Sequence, residues 1–219
     1  LALGLGQENY KFHDHEKLAH YANAAADIEF KFPFGFKELE GIHSRTDFDL
    51  SAHEKFSGRK LQYFDPERNE NYVPYVVETS IGLDRMFLAL FSNCLKDEVL
   101  EDGSERTVLS LPPALAPVKA AILPLVKKDG LPEFAEKIFN DLKYDFNVIS
   151  EEKDSIGKRY RRQDAIGTPF CITVDHDSLA DGTVTLRERD TMKQERVKVE
   201  DLRRIIDEKV NFRTLLSKI

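Results

Sequence analysis

ELEGIHSRTDFDL, Glu38 to Leu50, and VVETSIGLDR, Val76 to Arg85, decide how this 219-residue chain is read. Upstream, DIEFKFPF (27–34) alternates strictly, with Ile28, Phe30, Phe32 and Phe34 on one side and Glu29 and Lys31 on the other. This is the signature of a half-buried strand. Gly35 allows a turn, and FKELEGI continues as a second strand on which Glu38 and Glu40 share parity and project to one face. VVETSIG ends a further strand and opens a helix, GLDRMFLALFSNCL. Leu83, Met86, Phe87, Leu90 and Phe91 form one stripe of that helix, and Arg85 lies in its first turn.

Working outward, Asp14 is expected to cap a helix through LAHYANAAA. TDFDLSAHEKFSG suggests a short helix ended by Gly58, and LQYFD and YVPYVVE are strands around the turn PERNEN. The turn-rich stretch 98–117 places a linker near Pro112 and Pro113. Beyond it the period changes. VKAAILPLV, FNVIS and PFCITVD read as strands, LPEFAEKIFNDL and IGKRYRRQDAIG as helices, TVTLRERD and QERVKV as a hairpin, and EDLRRIIDEKV as a closing helix. The fold expected is therefore mixed. An α+β part with an antiparallel sheet and helices fills 1–112, and a small α/β domain with a mixed, largely parallel five-stranded sheet fills 113–219.

Composition narrows the function classes. A hydrophobic share of 41% with 32% charged residues describes a globular chain. Apolar runs such as AAILPLV (120–126) are far shorter than a membrane span. The opening LALGLGQEN has neither a basic leader nor an initiator Met, which suggests a truncated polypeptide without a secretory signal. Cys94 and Cys171 are 77 positions apart and read as buried thiols of a reducing cytoplasm. Residues 1–114 hold 12 Lys and Arg against 20 Asp and Glu, whereas residues 115–219 hold 20 against 19. A nucleic-acid partner must then rest on local basic clusters in the second half.

Individual residues carry two readings each. A cation in a first helical turn opposes the helix dipole at a cost of up to about 1 kcal/mol. An anion bound there would reverse the sign for Arg85; an ion pair with Asp84 or another acid would also account for it. Glu78 could receive an ammonium group, Ser80 could cap the helix and Gly82 could admit close approach, or all three are a strand end and a cap. Glu38 and Glu40 call for a cation, which a substrate amine, Arg45 or water could supply. Arg45, Asp47 and Asp49 read independently as a salt-bridge network. Lys158, Arg159, Arg161 and Arg162 cluster on one helix, with Arg187 and Arg189 on a strand. They suit single-stranded bases stacked beside a ring such as Tyr160, or a solvated face balanced by Glu151, Glu152 and Asp154. His13, His15 and His20 lack a metal-ligand spacing, so capping and packing are expected of them and no metal site is.

FPFGFKELEGIHSRTDFDLSAH and YVPYVVETSIGLDR together resemble glycyl-tRNA synthetase, a class II aminoacyl-tRNA synthetase of the dimeric type, the second stretch being similar to its motif 3. The resemblance implies that Glu38, Glu78, Thr79, Ser80, Ile81 and Gly82 line a glycine site. It implies that Glu38, Leu39, Gly82, Leu83, Asp84 and Arg85 contact ATP, with Arg85 catalytic at the terminal phosphate. SIGKRYRRQDAIGTPFCITVD and VTLRERDTMKQERV resemble the anticodon-binding domain shared by the glycyl, histidyl, prolyl and threonyl enzymes, which assigns Lys158, Arg159, Arg161, Arg162, Arg187 and Arg189 to the tRNA anticodon. Residues 1–112 then correspond to the C-terminal part of a class II catalytic domain and 113–219 to the anticodon-binding domain. The implied activity is a cytoplasmic glycine–tRNA ligase, using ATP as substrate with Mg²⁺ and no tightly bound cofactor. Its partners are tRNA(Gly), glycine and a second copy in the full-length homodimer, with neither DNA nor membrane. Motifs 1 and 2 have no counterpart in the chain, so these residues alone are expected to be inactive. Thr79 stands where many relatives carry proline. The competing expectation is a non-catalytic, nucleic-acid-binding module on a synthetase architecture, like the accessory subunit of mitochondrial DNA polymerase. Intact Glu38, Glu78, Ser80 and Arg85 argue against it, and ELEGIHSRTDFDL argues against a prolyl or threonyl relative.

Overall fold

The computed structural model describes residues 3–217, which form two compact units, one over residues 5–92 and one over residues 93–217 with Leu3 and Gly4. The first contains β1 (Tyr10–Asp14), β2 (Ala24–Phe32), β3 (Gly35–Ser44), α1 (Phe48–Ser57), β4 (Tyr63–Asp65), β5 (Glu70–Tyr72), β6 (Val77–Ile81) and α2 (Leu83–Cys94), the last residues of which run into the second unit. β1, β2, β3 and β6 pair in that order, all antiparallel, while β4 and β5 form a separate hairpin. Phe30, Phe32 and Leu39 are buried in this unit. The tight turn from β2 to β3 has Gly35 at φ 101°, which a side chain would strain.

Several local expectations change here. No helix follows Asp14: it ends β1 and pairs with Ala26, and the Ala24–Ala26 run begins β2. Ladder pairing of a whole strand outweighs the intrinsic helix preference of three alanines. YVPYVVE is divided between β5 and β6, with Pro74, which has no N–H for a ladder, between them. Ser80 remains in β6, and the Gly82 carbonyl accepts from the Met86 N–H at 2.9 Å, so α2 opens at Gly82 and Ser80 is not its cap. α1 ends as expected, with Gly58 left-handed at φ 68°.

The second unit holds β7 (Leu95–Val99), β8 (Glu105–Leu109), β9 (Ala120–Pro124), α3 (Leu131–Leu142), β10 (Val148–Ser150), α4 (Ile156–Ile166), β11 (Phe170–Val174), α5 (His176–Asp181), β12 (Thr183–Glu188), β13 (Gln194–Lys198), α6 (Leu202–Val210) and α7 (Phe212–Leu216). Its five-stranded sheet runs β10-β9-β11-β12-β13, with the first three strands parallel and the last two antiparallel. The mixed sheet expected from the strand–helix alternation is present. Every residue of β9 and β11 is buried, as suits strands covered on both faces. Leu131, Ala135, Ile138 and Leu142 of α3 and Leu202, Ile206 and Val210 of α6 pack on that sheet in one core. Residues 98–109 of the stretch read as turn-rich belong to the hairpin β7–β8, which packs within this unit.

Candidate active-site face and nucleic-acid interface

In the first unit a single extra residue arranges the site. Glu29 pairs with Glu38 and Ile28 with Glu40, so Leu39 is a bulge in β3 without a partner. Consecutive residues of β2 point to opposite faces; Glu38 and Glu40 therefore do not share a face, contrary to simple parity. The same register puts Glu38 on the face of Gly41 and His43, and β6 adds Glu78 opposite His43 and Ser80 opposite Gly41. Lys11, His13, Asp27 and Glu29 continue this polar face through β1 and β2. Thr79 and Ile81 pair with Ile42 and Glu40, so their side chains lie on the other face, away from Glu78 and Ser80. Leu39 is buried, which leaves only its backbone for a ligand.

Two of the glutamates on this face, Glu38 and Glu78, already hold an arginine. Arg85 donates to the main-chain carbonyl of Glu38, and its Nη1 is 3.5 Å from the Glu38 carboxylate. Arg45 donates to Glu78 at 2.7 Å and grips Asp49 with two bonds of 2.6 and 3.0 Å, its guanidinium lying 4.2 Å from the Tyr21 ring centre. The Arg45 bond holds the Asp49 carboxyl below its ordinary range, and the same bond raises Arg45 further. The expected Arg45–Asp49 bridge is present, whereas Asp47 accepts instead from the Ser51 hydroxyl. Leu83, Asp84 and Arg85 are exposed at the start of α2. A Cβ at Gly82 would meet nothing closer than 3.9 Å, so protein packing does not require glycine there and the space is open. His13 and His15 pair with Glu29 and Asp27 at 3.4 and 2.9 Å. Among the described residues no group of three or more His, Cys, Asp or Glu is placed to hold a metal ion.

The basic cluster of the second unit separates into structural and available members. Arg159 is 2% exposed and donates to the carbonyls of Pro124, Leu125 and Glu151, closing the end of β9. Arg189 is 1% exposed and donates to the carbonyls of Gly167 and Leu111. Arg187 makes two bonds, 2.7 and 2.9 Å, to the fully buried Asp164, which Arg106 also reaches at 3.3 Å. These three are corrections to the anticodon set: their N–H groups satisfy buried acceptors. Arg162 is half-exposed but committed to Glu151, Asp154 and the Lys153 carbonyl. Lys158 and the half-exposed Arg161, whose contact with Asp164 is a loose 3.8 Å, remain, at the rim of a cavity of about 330 Å³ whose walls include Tyr160, Arg187, Met192 and Gln194. The Arg187 guanidinium stacks 4.8 Å from the Tyr160 ring, whose hydroxyl bonds Thr173 at 2.6 Å. Met192 and Gln194 were not foreseen; only folding of the β12–β13 hairpin brings them to α4. Cys94 and Cys171 are free and buried, and burial pushes the Cys171 thiol up to about 12.

Residues 119–209 match the family model described as "Anticodon binding domain". Nearly the whole chain is similar to proteins named glycine–tRNA ligase. That of Chlorobaculum tepidum is 57% identical over 89% of the chain and 41% of its own length. That of Clostridium perfringens is 54% identical over 97% of the chain and 46% of its own length, and that of Geobacillus kaustophilus is 52% identical over the same shares. The resemblance to glycyl-tRNA synthetase is thereby borne out, and the chain spans less than half the length of the curated relatives it matches.

Proposed function

We propose that this chain is part of a glycine–tRNA ligase, with residues 1–112 contributing the motif 3 end of the catalytic domain and residues 113–219 binding the anticodon. The observation that carries this reading is the convergence of Glu38, Glu78 and Ser80 on one sheet face with Arg85 beside Glu38. An acidic, half-exposed face suits an ammonium group. In the reaction, the glycine carboxylate attacks the α-phosphorus of MgATP and pyrophosphate leaves. The glycyl-adenylate then esterifies the terminal ribose of tRNA(Gly). Glu78 and Glu38 hold the amine, Ser80 offers a hydroxyl beside it, and Arg85 turns toward the polyphosphate as its negative charge arrives. Catalysis of this kind is positioning and charge neutralisation, with no protein nucleophile.

No helix among the described residues is long and apolar enough to cross a membrane, and cytoplasmic location and homodimerisation of the full-length protein belong to the proposal. Available Lys158 and Arg161 beside the Tyr160 ring support single-stranded RNA as the partner of the second unit. A merely nucleic-acid-binding accessory protein has no use for the Glu38–Glu78–Ser80 face. Glycine-dependent ATP–pyrophosphate exchange by a full-length polypeptide carrying this sequence tests the reading. Arg85→Ala is expected to lower it by roughly 100-fold or more, and the 219 residues alone are expected to show none. Exchange unaffected by Arg85→Ala would refute the assignment.

A further inference from the structure

Glu78 is not a free carboxylate. Arg45 neutralises it at 2.7 Å, which by itself would weaken any attraction for a substrate amine. Asp49 restores the missing charge. It takes the Nε and Nη2 side of the same guanidinium, so Glu78, Arg45 and Asp49 together carry a net charge of −1. The trio is held rigidly. The Arg45 N–H bonds the Val76 carbonyl at 2.9 Å and the Val76 N–H bonds the Thr46 carbonyl at 2.9 Å, extending the pairing of β3 toward β6. Tyr21 covers one guanidinium face. With two carboxylates on its fork, Arg45 has no free edge for a substrate carboxylate; its available action is on Glu78.

We infer that Arg45 and Asp49 are positioning residues for amino-acid recognition: Arg45 fixes the Glu78 carboxylate toward the polar face, and Asp49 keeps the site anionic enough to take an ammonium group. This deepens the proposed function and rests on it. The geometry separates the two substrates. Arg85, the group assigned to the nucleotide, contacts Glu38 rather than this trio, so disturbing Asp49 should be felt by the amino acid and not by ATP.

The test is steady-state ATP–pyrophosphate exchange by the full-length protein, with KM measured separately for glycine and ATP. Asp49→Asn is expected to raise the glycine KM by roughly tenfold, the effect of losing a charged hydrogen-bond partner, with the ATP KM unchanged; Asp49→Glu, which keeps the charge, should recover most of the loss. Arg45→Lys keeps one positive charge but loses the fork. It should also raise the glycine KM, and it carries the test if Asp49→Asn does not fold by thermal melting. Equal changes in both KM values, or no change in a folded variant, would overturn the inference while leaving the ligase reading intact. Absence of glycine-dependent exchange in the unaltered protein would overturn both.

Discussion

Asp164→Asn is the most demanding perturbation of the second unit. Asp164 is fully buried, and three guanidinium groups converge on it: Arg187 through bonds of 2.7 and 2.9 Å, Arg106 at 3.3 Å and the half-exposed Arg161 at 3.8 Å. Arg106 keeps a second carboxylate, Glu98 at 2.6 Å, but Asp164 is the only ionic partner of Arg187 among the described residues. The asparagine amide is nearly isosteric, so packing is preserved and charge alone changes. One buried guanidinium is left uncompensated, a loss of about 3–5 kcal/mol. At roughly 3–5 °C per kcal/mol for a unit of this size, the melting temperature should fall by about 9–25 °C. Calorimetry or circular dichroism of the purified chain would measure it. A fall of less than about 3 °C would refute the structural role given to Arg187. If Arg187 were a base-reading side chain, Asp164→Asn would free it and strengthen RNA binding at nearly constant stability, the opposite pattern.

Two further outcomes follow from the same geometry. Lys158→Ala with Arg161→Ala should weaken binding of a tRNA anticodon stem-loop and reduce the slope of log K against log salt by about 1–2, with only a small change in melting temperature, since the Arg161 contact with Asp164 is half-exposed and 3.8 Å long; Arg162→Ala, whose side chain is already paired, should change affinity little in the same titration. Asp175 is held below the ordinary carboxylate range first by Arg196 and then by the Ser178 hydroxyl, against opposing burial. A depressed folded value means that its stabilisation is present above about pH 4, the unfolded value, and is lost as pH falls through the folded one. Asp175→Asn should therefore flatten the acid limb of the stability curve below about pH 4, as read by urea unfolding across pH.

Much of the architecture was legible because burial writes its period into the chain. The runs 131–142 and 156–166 coincide with α3 and α4; α3 buries apolar residues at helical spacing, whereas α4 buries Arg159, Gln163 and Asp164 and is bounded by left-handed Gly167. Elements with weak periods were not legible. α5 has only six residues, and what defines it is the reciprocal Asp175–Ser178 capping pair and left-handed Gly182. Half of the residues of β7 and β8 are charged, so no clean apolar alternation announces them. The α2 stripe is amphipathic as expected, yet Leu83, Phe87 and Phe91 lie exposed while Ala89 is buried. A pattern reports which face is apolar, not whether anything in the same polypeptide covers it.

The site shows the same limit more sharply, because charge has no period that separates a structural group from an available one. Five arginines and a lysine looked alike on α4 and at β12, and the decision between them was made by carbonyls at the ends of β9 and β10 and by the buried Asp164, 8 to 35 positions from the arginines they bind. In the first unit the placement of Glu38 and Glu78 on one face depends on a single bulge. Without Leu39 as the extra residue, β3 would keep a strict alternation, and Glu38 would fall on the face of Thr79 and Ile81. Gly41 belongs to the same arrangement: a Cβ there would lie 3.0 Å from the His43 ring, so a side chain at 41 would push His43 across the polar face. Residue types alone identified the chemistry of this face, but the register that assembles it is a property of paired strands, and only the folded sheet contains it.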